Sequence, residues 1–306
     1  MHLLLVRHGQ SENNLLEATH GAGAAFYCKR SVDPPLSKLG RRQAWLLGKR
    51  FGAQLKGSKQ RVRLLCSSMA RAMQTAQPLA QTLGLSVLVH PDIHEVKGFF
   101  GNEQALGLGR AQIQEQYPGF VANLVPEKGQ GSETCAEACI RANRVIQLLR
   151  EWARGSEEDV IVIVSHNDFL GLLGRLLLVP CGGAGDNVAM EAEQMFHDSY
   201  WPMNNTGISH FILGVRPPAG AYQVDTYLLY WNRSDHLGEH QRSGVQLKNV
   251  GFTQCAEWAR VGQGGSHFDQ KFEEVKVVHI PWQALAIAAV AGVALCTLVS
   301  LIRNQR

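Results

Sequence analysis

The sequence predicts a three-layer α/β fold with a mostly parallel central sheet, and three observations carry that reading. Short, nearly continuous apolar runs recur at residues 3–6, 62–66 and 160–164, as strands do when helices cover both faces of a parallel sheet. Helical patterns occupy 38–55, 69–83, 135–153 and 169–178. The two kinds of segment alternate along the chain, as successive β-α-β units require.

Taken in order, residues 3–6 form the first strand, and residues 15–35 read as a long loop containing Gly21 and Gly23. Helix 38–55, strand 62–66 and helix 69–83 follow, then a strand-like 87–89. Residues 96–131 are rich in Gly, Gln and Pro and are long enough for a lid or a substrate-facing excursion. Helix 135–153 opens on a capping box, Thr134 with Glu137 three residues later. Strands 160–164 and 208–213 flank the last helix of the pattern. Periodicity fades after Leu237, where Gly262, Gly264 and Gly265 suggest a flexible tether leading to Pro281. The expected organisation is a catalytic domain over 1–238, a juxtamembrane tether over 239–280 and a membrane-spanning helix over 281–303.

Composition bounds the function classes. A hydrophobic share of 45% against 18% charged residues supplies a core and argues against disorder. The formal net charge of +4 is mild, and its arginines are scattered, so no nucleic-acid partner is expected. Seven cysteines occur without a Cys-x-x-Cys pair, which favours reduced thiols over a disulfide framework or structural zinc. Residues 284–302 are almost wholly apolar, with only Thr297 and Ser300 as a polar face. A helix of that length spans roughly 28 Å, about the thickness of a bilayer's hydrocarbon core. Lys271 and Lys276 before the span balance Arg303 and Arg306 after it, so charge does not orient it. The apolar start at 3–6 is cut short by Arg7 and His8, leaving no signal-peptide core. The expected topology is therefore a single-pass tail anchor, with the catalytic domain facing the cytoplasm. Ala284, Ala288, Gly292, Cys296 and Ser300 form a small-residue stripe that would permit weak self-association in the bilayer.

Ligands of open α/β sheets bind at the carboxyl ends of the strands. At those ends stand Arg7 and His8, then Ser67, Ser68 and Arg71, then Glu95, then Ser165 and His166. Two histidines, two arginines and a carboxylate from four strand ends suit phosphoryl transfer to nitrogen. A neutral imidazole can attack phosphorus. Arginine forks neutralise and orient the phosphoryl oxygens, and a second histidine donates where charge builds up. A carboxylic acid protonates the leaving oxygen and then activates water. The scheme needs no metal and no cofactor. Asp92 competes with Glu95 for the acid's part, and His2, His20, His90 and His94 read as structural or exposed.

These residues lie in segments that resemble the histidine phosphatase superfamily, also called phosphoglycerate mutase-like. Leu5-Val6-Arg7-His8-Gly9-Gln10-Ser11-Glu12-Asn13-Asn14 is similar to its nucleophile motif. Asp33-Pro34-Pro35-Leu36-Ser37, with Gly40, Gln43 and Ala44, is similar to the segment that follows. Ser67-Ser68-Met69-Ala70-Arg71-Ala72-Met73-Gln74-Thr75-Ala76 resembles the second-arginine motif, and Glu95 with Gly98 and Gly101 the acid segment. Gly131-Ser132-Glu133-Thr134, Val164-Ser165-His166 and Asn204-Asn205-Thr206-Gly207-Ile208 resemble later landmarks. The likeness covers residues 1 to about 238. It implies His8 as the phosphorylated residue, Arg7, Arg71 and His166 as the phosphate pocket, and Glu95 as proton donor. Ser11 and Asn14 would assist phosphate binding. Between Asn14 and Asp33 the chain lacks the Gly-Trp loop of bisphosphoglycerate-dependent mutases, which favours a phosphatase acting on a small phosphorylated metabolite or a phosphoprotein. Asn167 replaces the small residue found in many relatives. Mutase activity and a catalytically silent, membrane-recruited scaffold are the alternatives; a scaffold has no need of Arg7, His8, Arg71 and His166 together.

Overall fold

A computed structural model describes residues 1–21, 24–96, 107–126, 133–155, 159–178, 201–216 and 223–244. Seven strands form one mixed sheet: β1 (His2–Arg7), β2 (Val62–Cys66), β3 (Val87–Val89), β4 (Phe120–Val121), β5 (Val160–Ser165), β6 (Ile208–Arg216) and β7 (Gln223–Arg233). Their spatial order is β4-β3-β2-β5-β1-β6-β7. The pairs β3–β4, β2–β3, β2–β5 and β1–β5 are parallel, and β6 joins β1 and β7 antiparallel. The helices are α1 (Glu12–His20), α2 (Ala24–Lys29), α3 (Lys38–Leu55), α4 (Ala70–Leu83), α5 (Arg110–Gln116), α6 (Cys135–Gly155) and α7 (Asn167–Leu178).

The continuous apolar strands are explained by burial on both faces. Leu3 and Leu5 of β1, with Ile161 and Ile163 of β5, enter a core shared with α6 and α7. Leu4 and Val6, with Val160, Val162 and Val164, enter a second core shared with α3 and α4. Successive residues therefore serve opposite layers, and each fully buried aliphatic side chain contributes about 2 kcal/mol.

Two sequence expectations are corrected. Residues 15–35 are not one long loop, because α1 and α2 lie across them. The α1 signal is its cap: Ser11 Oγ accepts from Asn14 N, and the Asn14 side chain accepts from Ser11 N. That box carries Asn where Glu or Gln is usual. The helix also buries none of its residues, Leu15 being 42% exposed, so no apolar stripe betrayed it. Residues 96–131 likewise contain α5 and the short edge strand β4, although 97–106 and 127–132 lie outside the described residues. Strand β7, not singled out beforehand, is partly buried along nearly all of its length and so shows no clean alternation.

Among the described residues no helix is long and apolar enough to cross a membrane. The expected span at 281–303, and residues 245–280 of the expected tether, lie outside the described residues. Hydrogen bonding to the domain runs past the expected boundary at 238 as far as Ser243.

The start of α3 pins the loop after β1. Ser37 caps the helix by accepting from Gly40 N at 3.1 Å, and Ser37 Oγ also donates to Gln10 Oε1 at 2.7 Å. Gly40 and Gly9 permit this approach: a Cβ on Gly40 would lie 2.0 Å from the Gln10 carbonyl oxygen, and one on Gly9 would lie 2.7 Å from that of Gly40. Backbone atoms on both sides leave no flexible group to yield. Gly40→Ala is expected to destabilise the fold by about 2–3 kcal/mol, read as a lower urea midpoint at unchanged m-value.

Candidate active site

The parallel register brings the strand exits level. Arg7 pairs with Ser165, and Cys66 pairs with both Val164 and Val89, so the residues immediately after β1, β2, β3 and β5 emerge at one end of the sheet. His8 and His166 meet there with ring centroids 5.2 Å apart. Both are buried, at 4% and 0% exposure, and Arg7 and Arg71 are each 8% exposed. The structure thus brings together the four residues expected to form the pocket.

His8 is held in one tautomer by its neighbours. Nδ1 lies 2.7 Å from the Gly9 carbonyl oxygen, which can only accept, so Nδ1 carries the proton. Nε2 then presents a lone pair, and it accepts from Arg71 Nε at 3.2 Å. Burial first, then the Arg71 and Arg7 charges, hold His8 well below the ordinary imidazole value. A neutral ring with its Nε2 lone pair directed at a guanidinium is what a nitrogen nucleophile facing an anion requires. His166 is kept neutral in the same way, by burial and then by Arg71. Its Nε2 meets Ser67 Oγ at 2.9 Å.

The arginines are fixed from behind. Arg7 bonds the Met203 carbonyl oxygen. Arg71 Nη1 lies 3.4 Å from Asp33 Oδ1, and both Asp33 oxygens accept from Ala70 N at 3.0 Å. Asp33 thereby supplies the acceptor that α4 lacks at its own cap, where Met69 makes no side-chain bond. Thr75 closes the arrangement, accepting from Gly9 N at 3.0 Å and donating to the Arg71 carbonyl oxygen at 2.7 Å.

Glu95 follows the turn Pro91–Ile93 after β3. Its Oε1 accepts from Val96 N at 2.9 Å and from Phe169 N, in the first turn of α7, at 3.0 Å. Burial, and next the Asp168 carboxylate, push Glu95 up to about 7 against the pull of the Val96 amide, Arg71 and the Phe169 amide. Asp168 is itself raised by burial, although Asn167 Nδ2 donates to its Oδ1 at 2.8 Å and Arg7 opposes the rise. Asp92, the competing carboxylate, is engaged elsewhere: Arg144 forks onto it at 2.9 and 3.0 Å. Burial would raise Asp92, but Arg144 brings it below the usual carboxylate range.

Ser11 and Asn14 stand beside the pocket with their oxygens committed to the α1 cap, and Asn14 Oδ1 also accepts from Asn205 Nδ2 at 3.3 Å. Asn167 binds Met203 N through its Oδ1 at 2.9 Å, which supports the segment carrying the Arg7 acceptor. Among the other histidines, His2 meets His210 at 3.0 Å, His90 accepts from Asp92 N, and His94 donates to the Pro91 carbonyl oxygen. Among the described residues no three His, Cys, Asp or Glu side chains group as a metal site.

Sequence reasoning did not single out Asp168, and it noted Asp33, Gln43, Thr75 and Asn205 only inside similar segments. Their contribution depends on contacts between distant segments, which no local pattern reveals.

Comparison with known proteins shows the family. A family model described as histidine phosphatase superfamily (branch 1) matches residues 3–186. A glucosyl-3-phosphoglycerate phosphatase of Mycobacterium tuberculosis is 29% identical over 186 residues, covering 58% of this chain and 74% of the relative. A Yersinia enterocolitica protein named "Probable phosphoglycerate mutase GpmB" is 28% identical over 185 residues, covering 59% and 76%. A solved structure of mycobacterial glucosyl-3-phosphoglycerate phosphatase with VO3 has a TM-score of 0.45 at 23% identity, over 76% of this chain and 99% of that one. The family match spans more than half of the chain and contains both histidines, both arginines and Glu95: the chain belongs to the histidine phosphatase superfamily, branch 1, and is a phosphoric monoester hydrolase.

Proposed function

We propose that the chain hydrolyses a small phosphorylated metabolite through a phosphohistidine formed on His8. The observation that carries this reading is the His8 ring: Nδ1 is tied to the Gly9 carbonyl, and the Nε2 lone pair is turned towards Arg71. In the first step Nε2 attacks phosphorus as the P–O bond to the leaving group breaks, and the departing oxygen takes the proton of Glu95. In the second step the Glu95 carboxylate accepts a proton from water, whose oxygen attacks phosphorus. The P–N bond breaks, its electron pair returns to Nε2, inorganic phosphate leaves, and Glu95 is again protonated. Arg7 and Arg71 neutralise the phosphoryl oxygens, and His166 donates to them where charge accumulates. Ser11 and Asn14 add donors at the rim.

A Glu95 near 7 is suited to this double duty, since acid and base forms are both accessible at neutral pH. Glu95 must hold a proton to release the alkoxide, so turnover is expected to fall as pH rises through about 7. Asp168→Asn removes the neighbouring carboxylate that helps hold that value up. The basic limb of kcat/KM against pH should then move to lower pH, and an unmoved limb would contradict the pairing.

Mutase activity is the second reading, and one relative is named for it. Hydrolysis is favoured by the segment between Asn14 and Asp33, which lacks the Gly-Trp loop. A panel of phosphorylated metabolites and phosphopeptides, scored for free phosphate and for phosphoryl transfer to an acceptor alcohol, tests both. Turnover of metabolites with free phosphate as product is expected. Turnover confined to phosphopeptides, or transfer without release, would replace the proposal.

The reading extends to a membrane-tethered enzyme, facing the cytoplasm, with residues 281–303 in the bilayer. Its support is compositional: the 19 residues of 284–302 carry no charge.

A further inference from the structure

The segment after Gly238 reaches the back of the candidate active site. Residues 239–241 form one 3-10 turn, closed by Gly238 N on Gln241 Oε1 at 3.1 Å. The chain then runs to Ser243, whose hydroxyl is held at both ends. It accepts from Gln43 Nε2 at 2.9 Å and donates to Asn205 Oδ1 at 2.9 Å, while the Ser243 carbonyl oxygen accepts from Asn205 N at 2.9 Å.

Both partners bear on the nucleophile loop. Asn205, fully buried, donates through Nδ2 to the His8 carbonyl oxygen at 3.1 Å. Gln43, also fully buried, accepts from Gln10 N through Oε1 at 2.8 Å and donates to the Gln241 carbonyl oxygen at 2.7 Å. An unbroken run of hydrogen bonds thus links residues 241–243 to the backbone on both sides of Gly9. Gly244 then passes so close to Arg7 that a Cβ there would lie 2.8 Å from Arg7 Nη1 and 2.9 Å from Asn205 N. Its φ of +113° is a conformation that side chains disfavour.

We propose that residues 238–244 are a positioning strap of the active site, with Ser243 clamped between Gln43 and Asn205 to fix the nucleophile loop. The strap contributes no group to the chemistry. It sets where His8 Nε2 stands relative to phosphorus, and a small misplacement of a nucleophile is costly to the chemical step and nearly silent in binding. It lies beyond the family match, which ends at residue 186. The inference rests on the reading of His8 as nucleophile.

The test compares full-length wild type, Ser243→Ala, Ser243→Thr, Gly244→Ala and His8→Ala on an aryl phosphate, with thermal unfolding of each. Ser243→Ala is expected to lower kcat about ten-fold with KM within about two-fold, the equivalent of about 1.4 kcal/mol on the barrier. Ser243→Thr keeps the hydroxyl and should return most of that kcat. Gly244→Ala, which crowds Arg7, should raise KM several-fold. Wild-type kcat in Ser243→Ala, with turnover still abolished by His8→Ala, overturns the strap and leaves the nucleophile standing. A kcat loss that follows the loss of folded protein and is not restored by Thr also overturns it. Turnover surviving His8→Ala overturns both.

Discussion

Turnover of any phosphomonoester falls by on the order of 10⁴-fold or more when His8 is replaced by Ala, because the covalent route closes with its nucleophile. The prediction is sharper than a general loss of activity. The fold should survive, since His8 lies at a strand exit, outside both hydrophobic cores. Arg71 loses its Nε2 partner but keeps Asp33 at 3.4 Å. Phosphate or vanadate should still bind the variant, because the two arginines and His166 remain. A His8→Ala protein that binds phosphate yet turns over nothing separates the nucleophile from the anion pocket. Retained steady-state hydrolysis would contradict the assignment.

Glu95→Gln carries the second large effect, and its size depends on the substrate. An alkyl phosphate leaves as a strongly basic alkoxide and needs the proton, so kcat/KM should fall by about 10²–10³-fold. A nitrophenyl phosphate leaves as a stabilised phenolate, so its first step should slow far less. A uniform loss across leaving groups would mean that Glu95 acts by position or charge instead of by proton transfer. The same substitution has a stability signature. Glu95 is raised when folded, so its folded state is favoured while the carboxyl is protonated, and that advantage disappears as pH rises through about 7. Gln carries no such charge. Glu95→Gln should therefore be more stable than wild type above pH 8, by up to about 3 kcal/mol, and close to it near pH 4. Parallel denaturation curves at the two pH values measure the difference.

Much of the fold was legible because its signals are local. The apolar runs that became β1, β2 and β5 are buried on both sides, and buried strands write continuous hydrophobicity into the chain. Helix α3 was placed at its observed limits, 38–55, by its helical apolar spacing. Helix α1 escaped because it buries nothing, and β7 escaped because its partly buried residues neither alternate nor form an apolar run. The candidate site divides along the same line. His8, Arg71 and His166 could be named because each follows a recognisable strand. Asp33 reaches Ala70 and Arg71 from a segment with no regular structure of its own, and Asp168 matters only because Phe169 N fastens Glu95 beside it. Ser243 lies 200 residues from Gln43 in sequence. Such partners become visible once the sheet has brought its ends together.

The central claim is that phosphorus is carried on His8 Nε2. Rapid quench of the enzyme with a ³²P-labelled phosphomonoester, followed by peptide mapping and ³¹P NMR of the trapped protein, measures this directly. The account predicts label on the peptide containing His8, stable in alkali and lost in acid, with phosphorus bonded to Nε2. Alkali-labile label on a carboxylate, acid-stable label on Ser67, or multiple turnovers with no labelled protein would contradict it.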